Sequence, residues 1–134
     1  MSQHETPMTR WYWEMMGGTL VEEFPVVSPG HDRGQRLIDG VIILGGQRHI
    51  APASEVSLRD RDVVAVQSKR GRLGMYLMGQ VVFSALLLKP FRPRSVRSVA
   101  VCEKTDSVLG PLLLSVPGCE IAIYPGPDGN SQRR

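Results

Sequence analysis

Residues 62–102 contain the pattern that most constrains the fold: an apolar strand, a long apolar helix and a second apolar strand in succession. The segment DVVAVQS at 62–68 is typical of a buried strand, and 95–102 has the same character. The segment 71–88 is too long for a strand and ends at Lys89-Pro90, so we expect a helix there. Strand–helix–strand units form right-handed parallel crossovers, so this pattern predicts a sheet covered by helices.

The rest of the chain extends this unit on both sides. Thr6-Pro7 is typical of a helix start, and we expect a helix over 7–16 that ends at Gly17-Gly18. Strand patterns over 19–27 and 36–44 indicate an antiparallel first half, followed by a short edge strand within 48–60. A short helix over 105–115 and a last strand over 119–124 follow. We therefore expect an α/β domain with a mixed central sheet flanked by helices, in the order αβββαβαβ when the short edge strand is not counted.

Length and composition define one domain and exclude several classes of protein. The 134 residues fit a single domain, expected over 7–124 between a disordered N-terminus (1–6) and a mobile C-terminal tail (125–134). No segment approaches the roughly 20 apolar residues of a membrane span, and the N-terminus lacks an apolar signal region. Cys102 and Cys119 lack metal-site spacing and are interpreted as free buried thiols. These features predict a cytoplasmic protein with no membrane partner.

The positive charge lies in the second half of the chain. Residues 1–66 carry a net charge of −3, from six cations and nine acids, and residues 67–134 carry +6, from ten cations and four acids. Within 69–97 there are seven cations and no acid, which is typical of a phosphate-binding surface as well as of a solvated face. We favour nucleic acid as the partner because this run flanks the apolar unit described above.

Three polar residues interrupt apolar strands where chemistry could use them. Asp39 lies in an otherwise apolar strand, and Gln67 and Lys69 share one parity of theirs and therefore face the same side. If the two strands are neighbours, the carboxylate, the amide and the backbone carbonyl of Ser68 form an oxygen ligand set that suits Mg²⁺. A lysine nearby can orient water or neutralise charge on a phosphate.

Asp39, followed by Gln67-Ser68-Lys69 at the end of a strand and then by a helix, resembles the motif of the PD-(D/E)XK nucleases. This superfamily has the restriction-endonuclease-like fold and includes Holliday-junction-resolvase-like and RecB-type nucleases. The resemblance covers roughly residues 8–102. It implies a Mg²⁺-dependent DNA endonuclease, with Mn²⁺ as an alternative metal and RNA as an open alternative substrate. Structure-selective and repair-type nucleases are the closest functional analogy.

The resemblance also implies roles for individual residues. Asp39, Gln67 and the Ser68 carbonyl would bind the metal, and Lys69 would position the attacking water. Glu14 would be the acid of the first helix, as an outer-shell or second-metal ligand. Two groups would support them: Tyr76 and Gln80 on the long helix, and phosphate-contacting arginines at positions Arg70, Arg72, Arg92 and Arg94. A nuclease of this size has little surface for target selection, so a homodimer or a recognition partner is expected.

Several positions depart from the family pattern or have simpler interpretations. Gln67 stands where the family has Glu or Asp, and a neutral amide weakens divalent-ion binding. Asp39 could instead form an Asp-Gly turn or an ion pair with Lys69, and Glu14 could pair with Arg10. Glu22 and Glu23 are alternative first acids, of which at most one could join the site. Tyr76 and Gln80 could make structural hydrogen bonds only.

Two other classes of function therefore remain open beside the nuclease. The first is a catalytically decayed module of the same fold that binds nucleic acid or a protein partner. The second is an unrelated α/β interaction protein, in which these polar residues are satisfied core groups.

Overall fold

A six-stranded sheet lies between one helix on one face and two helices on the other in the computed structural model, which describes residues 5–127. The helices are α1 (Thr6–Met16), α2 (Met75–Leu88) and α3 (Leu109–Leu114). The strands are β1 (Thr19–Val27), β2 (Arg36–Ile43), β3 (His49–Ile50), β4 (Asp62–Ser68), β5 (Ser95–Cys102) and β6 (Cys119–Ile123). Short 3-10 turns occupy Ala53–Glu55 and Lys89–Phe91.

The sheet has the order β3-β1-β2-β4-β5-β6 and is mixed. β2 runs antiparallel to both β1 and β4, whereas β5 lies parallel to β4 and β6 lies parallel to β5. The two-residue β3 pairs with β1 at the edge, as Pro52 led us to expect. The predicted mixed α/β sheet flanked by helices is therefore confirmed, with an antiparallel first half and two parallel crossovers in the second.

The two faces of the sheet bury different helices. α1 places Met8 and Tyr12 against one face, where they pack on apolar residues of β1, β2, β4 and β5. On the other face α2 packs Leu77 and Val81 on Ala100 of β5, and α3 adds the fully buried Leu113. A buried Leu or Val side chain stabilises the fold by roughly 1.5–3 kcal/mol, so these contacts hold both helical layers on the sheet.

The alternation of faces along β1 breaks at Glu23, whose φ is 50°. Val21 and Phe24, three positions apart, both join the cluster on the α2 face, so the strand changes phase between them. β2 shows the same change at the same level, because Ile38 and Val41 belong to that cluster too. Asp39 and Gly40 lie at this irregular step.

Both helices after β4 begin later in the chain than predicted. α2 begins at Met75 rather than at residue 71, since Gly71 has a φ of 91° and Leu73 N donates to the Lys104 carbonyl. Residues 71–74 thus extend beside 103–104 before the helix starts. α3 begins at Leu109, where the Asp106 carboxylate accepts hydrogen bonds from the first backbone N–H groups.

The described residues include only part of each predicted end of the domain. Thr6, expected in a disordered N-terminus, is the first residue of α1, and the Glu5 carbonyl accepts the Thr9 N–H at 3.1 Å. Most of the tail expected over 125–134, and residues 1–4, lie outside the described residues. Within residues 5–127, no helix combines the length and apolar character needed to cross a bilayer.

Candidate functional site

β2 and β4 bring Asp39 and Gln67 to opposed positions, which is the arrangement that the site hypothesis required. The antiparallel pairing runs to Gly40 opposite Val66, so Asp39 and Gln67 are the next pair. Beyond that point side chains replace the backbone ladder: Asp39 Oδ2 accepts the Ser68 N–H at 2.8 Å, and Gln67 Oε1 accepts the Asp39 N–H at 3.4 Å. Asp39, Gln67 and Ser68 are therefore in mutual contact.

Gln67 is buried and its amide is held from the α2 side. Its Nε2 donates to Ser84 Oγ at 2.8 Å, and Ser84 Oγ in turn donates to the Gln80 carbonyl at 2.6 Å. The long contact to the Asp39 N–H leaves the Gln67 Oε1 only weakly engaged. Ser84, which lies on the long helix, fixes the orientation of this amide.

α1 is anchored at the same place from the opposite face. The hydroxyls of Thr9 and Ser68 lie 2.8 Å apart and share a hydrogen bond, and both side chains are buried. Gly40 allows this approach, because a Cβ there would meet Thr9 Cγ2 at 2.8 Å. The first turn of α1 is thereby held beside Asp39.

The Asp39 carboxyl is half-buried and its charge is disfavoured. Burial raises the pKa of Asp39 above its ordinary value, the hydrogen bond from Ser68 N–H opposes that rise, and repulsion from Glu5 and Glu23 adds to it. A carboxylate in such surroundings gains from a proton or a cation. Glu23 lies on β1 at the level of Asp39, which is compatible with its role as an alternative first acid. Glu5 was not considered as a first acid from the sequence, because it precedes the predicted helix.

Lys69 directly follows β4 with its side chain exposed, while its backbone N–H donates to the Val101 carbonyl at 3.0 Å. It forms no ion pair with Asp39, and Asp39 lies within β2 rather than in a turn. Both simpler interpretations of Asp39 are therefore wrong, and the Lys69 side chain is exposed two positions after Gln67.

The structure does not bring Glu14 to Asp39. Thr9 and Tyr12 are on the face of α1 that meets the sheet, whereas Glu14 is exposed and lines a separate groove with Arg70 and Glu103. Glu14 is not paired with Arg10 either, because Arg10 binds Glu22 with nitrogen–oxygen distances of 2.7 and 3.0 Å. The phase of α1 therefore directs Glu14 into a different groove from the one expected. Glu22, the other candidate acid, is occupied by its ion pair with Arg10.

The four predicted phosphate-binding arginines form two separate groups. Arg70 pairs with Glu103 at 3.3 Å, and Arg72 Nη1 donates to the Thr105 carbonyl at 3.2 Å, both beyond the end of β4. Arg94 binds Asp62, the first residue of β4, which is about 17 Å along the strand from Gln67. The Arg92 carbonyl accepts the Asp60 N–H at that same far end, so Arg92 and Arg94 do not border the Asp39 site.

Tyr76 and Gln80 lie on the side of α2 that borders Gln67. Gln80 takes part through its backbone carbonyl, which accepts the Ser84 hydroxyl. Tyr76 has 75% of its surface exposed, and its hydroxyl makes no hydrogen bond to any residue within 5–127. The structural hydrogen bond considered for Tyr76 is therefore absent from the described part of the chain.

The donor set at Asp39 is compatible with a hard cation but small. Asp39 and Gln67 contribute oxygen atoms, which Mg²⁺ prefers, and only one of the two carries charge. Within residues 5–127, no three His, Cys, Asp or Glu side chains converge closely enough to hold a metal ion by themselves. Any divalent ion here would keep several water ligands.

Comparison with known proteins adds no assignment: no family model, no curated protein and no solved structure matches the chain. The interpretation of the site therefore depends on its geometry and on the motif resemblance.

Proposed function

We propose that the chain is a Mg²⁺-dependent DNA endonuclease of the restriction-endonuclease-like fold. The observation that carries the proposal is the opposition of Asp39, within β2, and Gln67, near the end of β4, with Lys69 two residues after Gln67. The strand order supports it as well, because an antiparallel β1-β2-β4 meander followed by the α2 crossover to β5 is the arrangement that the motif resemblance implies.

The residues present define what each would do. Asp39, Gln67 Oε1 and the Ser68 carbonyl would hold Mg²⁺, which supplies Lewis-acid stabilisation of the phosphate and lowers the pKa of bound water. The hydrogen bond from Ser68 N–H fixes the Asp39 carboxylate before any ligand binds. Lys69 is exposed and paired with no acid among residues 5–127, so its ammonium group is available to a phosphate oxygen or to the attacking water.

Cleavage of labelled linear, single-stranded and branched DNA in Mg²⁺ or Mn²⁺ tests the proposal. Asp39→Asn and Lys69→Ala are each expected to lower the rate at least about 100-fold, because they remove metal and phosphate contacts. Glu55→Gln, an exposed carboxylate in the turn after β3, is the matched control and should cleave normally. Equal rates for Asp39→Asn and the control would refute the nuclease proposal.

The first acid can be assigned by the same assay. Because Glu5, and not Glu14, contributes to the repulsion at Asp39, we expect Glu5→Gln to lower the rate more than Glu14→Gln. The opposite order would restore the role that the family resemblance implies for Glu14.

A second function, nucleic-acid binding without cleavage, is favoured by one observation. The Gln67 amide is neutral, buried and hydrogen-bonded to Ser84, as expected if the metal site has been lost. Salt-dependent DNA binding with no cleavage in either metal would support this module. In Gln67→Glu, the added charge should tighten Mn²⁺ binding by about tenfold or more, and an unchanged metal titration would exclude Gln67 as a ligand.

A further inference from the structure

An apolar groove opens beside the Asp39 site between α2 and the start of β2. We call it the α2 groove; its volume is about 430 Å³, and the residues that matter here are Arg36, Leu37, Gln67, Tyr76, Gly79 and Phe83. Gln67 belongs both to this groove and to the contact with Asp39. A ligand in the groove would therefore lie next to the candidate site.

Two aromatic rings stand at the solvent side of the α2 groove. Tyr76 is 75% exposed and Phe83 is 61% exposed, and they lie two helical turns apart on one side of α2. That spacing is about 10 Å along the helix axis. Gly79 lies between them, and nothing is within 4 Å of the position that its Cβ would occupy. The helix thus presents two rings with an open gap between them, which fits flat aromatic groups better than a bulky apolar side chain.

Within residues 5–127, the lining of the α2 groove includes one charged side chain, and it is a cation. That cation is Arg36, and Lys69 follows the groove residue Gln67 by two positions in the chain. The Arg36 guanidinium contacts the Gln35 carbonyl at 3.2 Å, and neither Arg36 nor Lys69 forms an ion pair within the described residues. An apolar protein surface would cover the rings but leave these charges unmatched, and a polyanion would match them.

We propose that the α2 groove binds single-stranded DNA, with bases stacked on Tyr76 and Phe83 and phosphates contacting Arg36 and Lys69. Stacking on exposed rings requires unpaired bases, because the faces of bases in a duplex are covered by their neighbours. This inference rests on the proposed function and specifies its substrate: the strand that enters the Asp39 site is unpaired there.

Binding of a fluorescein-labelled 20-mer of thymidylate, measured by anisotropy in EDTA, tests the inference without cleavage. Tyr76→Leu and Phe83→Leu keep an apolar side chain but remove the ring, and each should weaken binding about 5- to 100-fold. Tyr76→Phe keeps the ring and should bind within about twofold of the unmodified chain. Leu112→Ala, an exposed position of α3, is the surface control and should not change the affinity.

Duplex and salt measurements add independent readouts. A 20-base-pair duplex should bind more weakly and respond less to Tyr76→Leu, since it offers no free base faces. Arg36→Gln should lower the slope of log affinity against log salt by about one. Circular dichroism checks folding, and both aromatic positions are exposed, so their substitution leaves the core intact.

Four outcomes would overturn the inference. Three concern binding: the unmodified chain does not bind the 20-mer, the ring and Leu variants have equal affinities, or only oligouridylate binds. The fourth is that Tyr76→Leu changes the mass of the protein by sedimentation equilibrium but does not change its affinity for the 20-mer. The last would assign the α2 groove to a second copy of the chain. Ring-dependent binding with no cleavage in Mg²⁺ would refute the nuclease proposal alone. Normal cleavage by Tyr76→Leu with unchanged affinity would refute the groove alone.

Discussion

Replacing Gly40 by alanine tests whether the close contact between α1 and β2 holds the Asp39 site together. Gly40 does not have a left-handed φ, so alanine can adopt its backbone conformation and any cost arises from packing. The new Cβ would lie 2.8 Å from Thr9 Cγ2 and 3.1 Å from Leu20 Cδ1, whereas carbon atoms in contact prefer about 3.5–4.0 Å. Thr9 cannot rotate away without losing the hydrogen bond between its hydroxyl and that of Ser68.

The expected loss can be worked out from these contacts. Overpacking of a filled core costs about 1–3 kcal/mol, and removing a glycine from a strand returns about 0.5–1 kcal/mol. We therefore expect Gly40→Ala to lower the free energy of unfolding by about 1–2 kcal/mol. The unfolding entropy of a 134-residue chain is about 0.28 kcal/mol/K, which converts this loss to a fall in Tm of about 4–7 °C by calorimetry.

Two further variants make the reasoning refutable. Gly79→Ala, at a helix position with nothing within 4 Å of the new Cβ, should instead stabilise the chain by about 0.5–1 kcal/mol. Thr9→Ser removes the colliding methyl group but keeps the hydroxyl, so Thr9→Ser combined with Gly40→Ala should be more stable than the sum of the single effects by about 1 kcal/mol. Additive effects, or an unchanged Tm in Gly40→Ala, would show that the contact does not hold α1.

Three other predictions concern the polar and thiol groups of the core. Ser84→Ala leaves the buried Nε2 of Gln67 without an acceptor and should lower the free energy of unfolding in urea by about 1–3 kcal/mol. Adding Gln67→Met removes the amide and should recover most of this loss. Full stability of Ser84→Ala would mean that another acceptor serves the amide. Because burial raises the pKa of Asp39, the folded chain holds a proton there to higher pH than the unfolded chain, and stability falls as the pH rises from the ordinary value of 3.8 through the raised one. Asp39→Asn still accepts the backbone N–H but does not titrate, so its stability relative to the unmodified chain should increase over that window; parallel pH curves would contradict this. Burial also raises the pKa of the Cys102 and Cys119 thiols, so alkylation by iodoacetamide at pH 8 should be at least about tenfold slower than in urea, and equal rates would show that the thiols are accessible.

The strands were predictable because each carries its own local pattern. The 62–68 segment is apolar and ends in polar residues, and β4 has these bounds in the structure. The placement of β2 beside β4 was a condition of the site hypothesis, because β3 comes between these strands in the chain and pairs with β1 at the edge of the sheet. The start of α2 could not be predicted in the same way, because residues 71–74 are drawn into an extended form by Lys104, more than 30 residues away.

The exposed position of Glu14 could not be predicted, because the phase of α1 is hard to read from its composition. Glu14 lies between two large apolar residues, Trp13 and Met15, but the residues of α1 that are buried are Met8, Thr9 and Tyr12. Thr9 is fully buried although it is polar, and its partner Ser68 is on another element. A hydrogen bond of this kind leaves no signal in a single sequence, and neither does the electrostatic influence of Glu5 on Asp39.

The left-handed residue at position 23 also makes slippage of the first hairpin costly. A regular strand can shift by two residues and still direct apolar side chains inward. β1 has opposite phases before and after Glu23, with Val21 and Phe24 buried on the same face, and β2 changes phase at the matching level. Only one alignment buries both halves together. This shared irregularity therefore locks the register of the two strands, and the carboxylate at position 39 keeps one fixed position along the sheet.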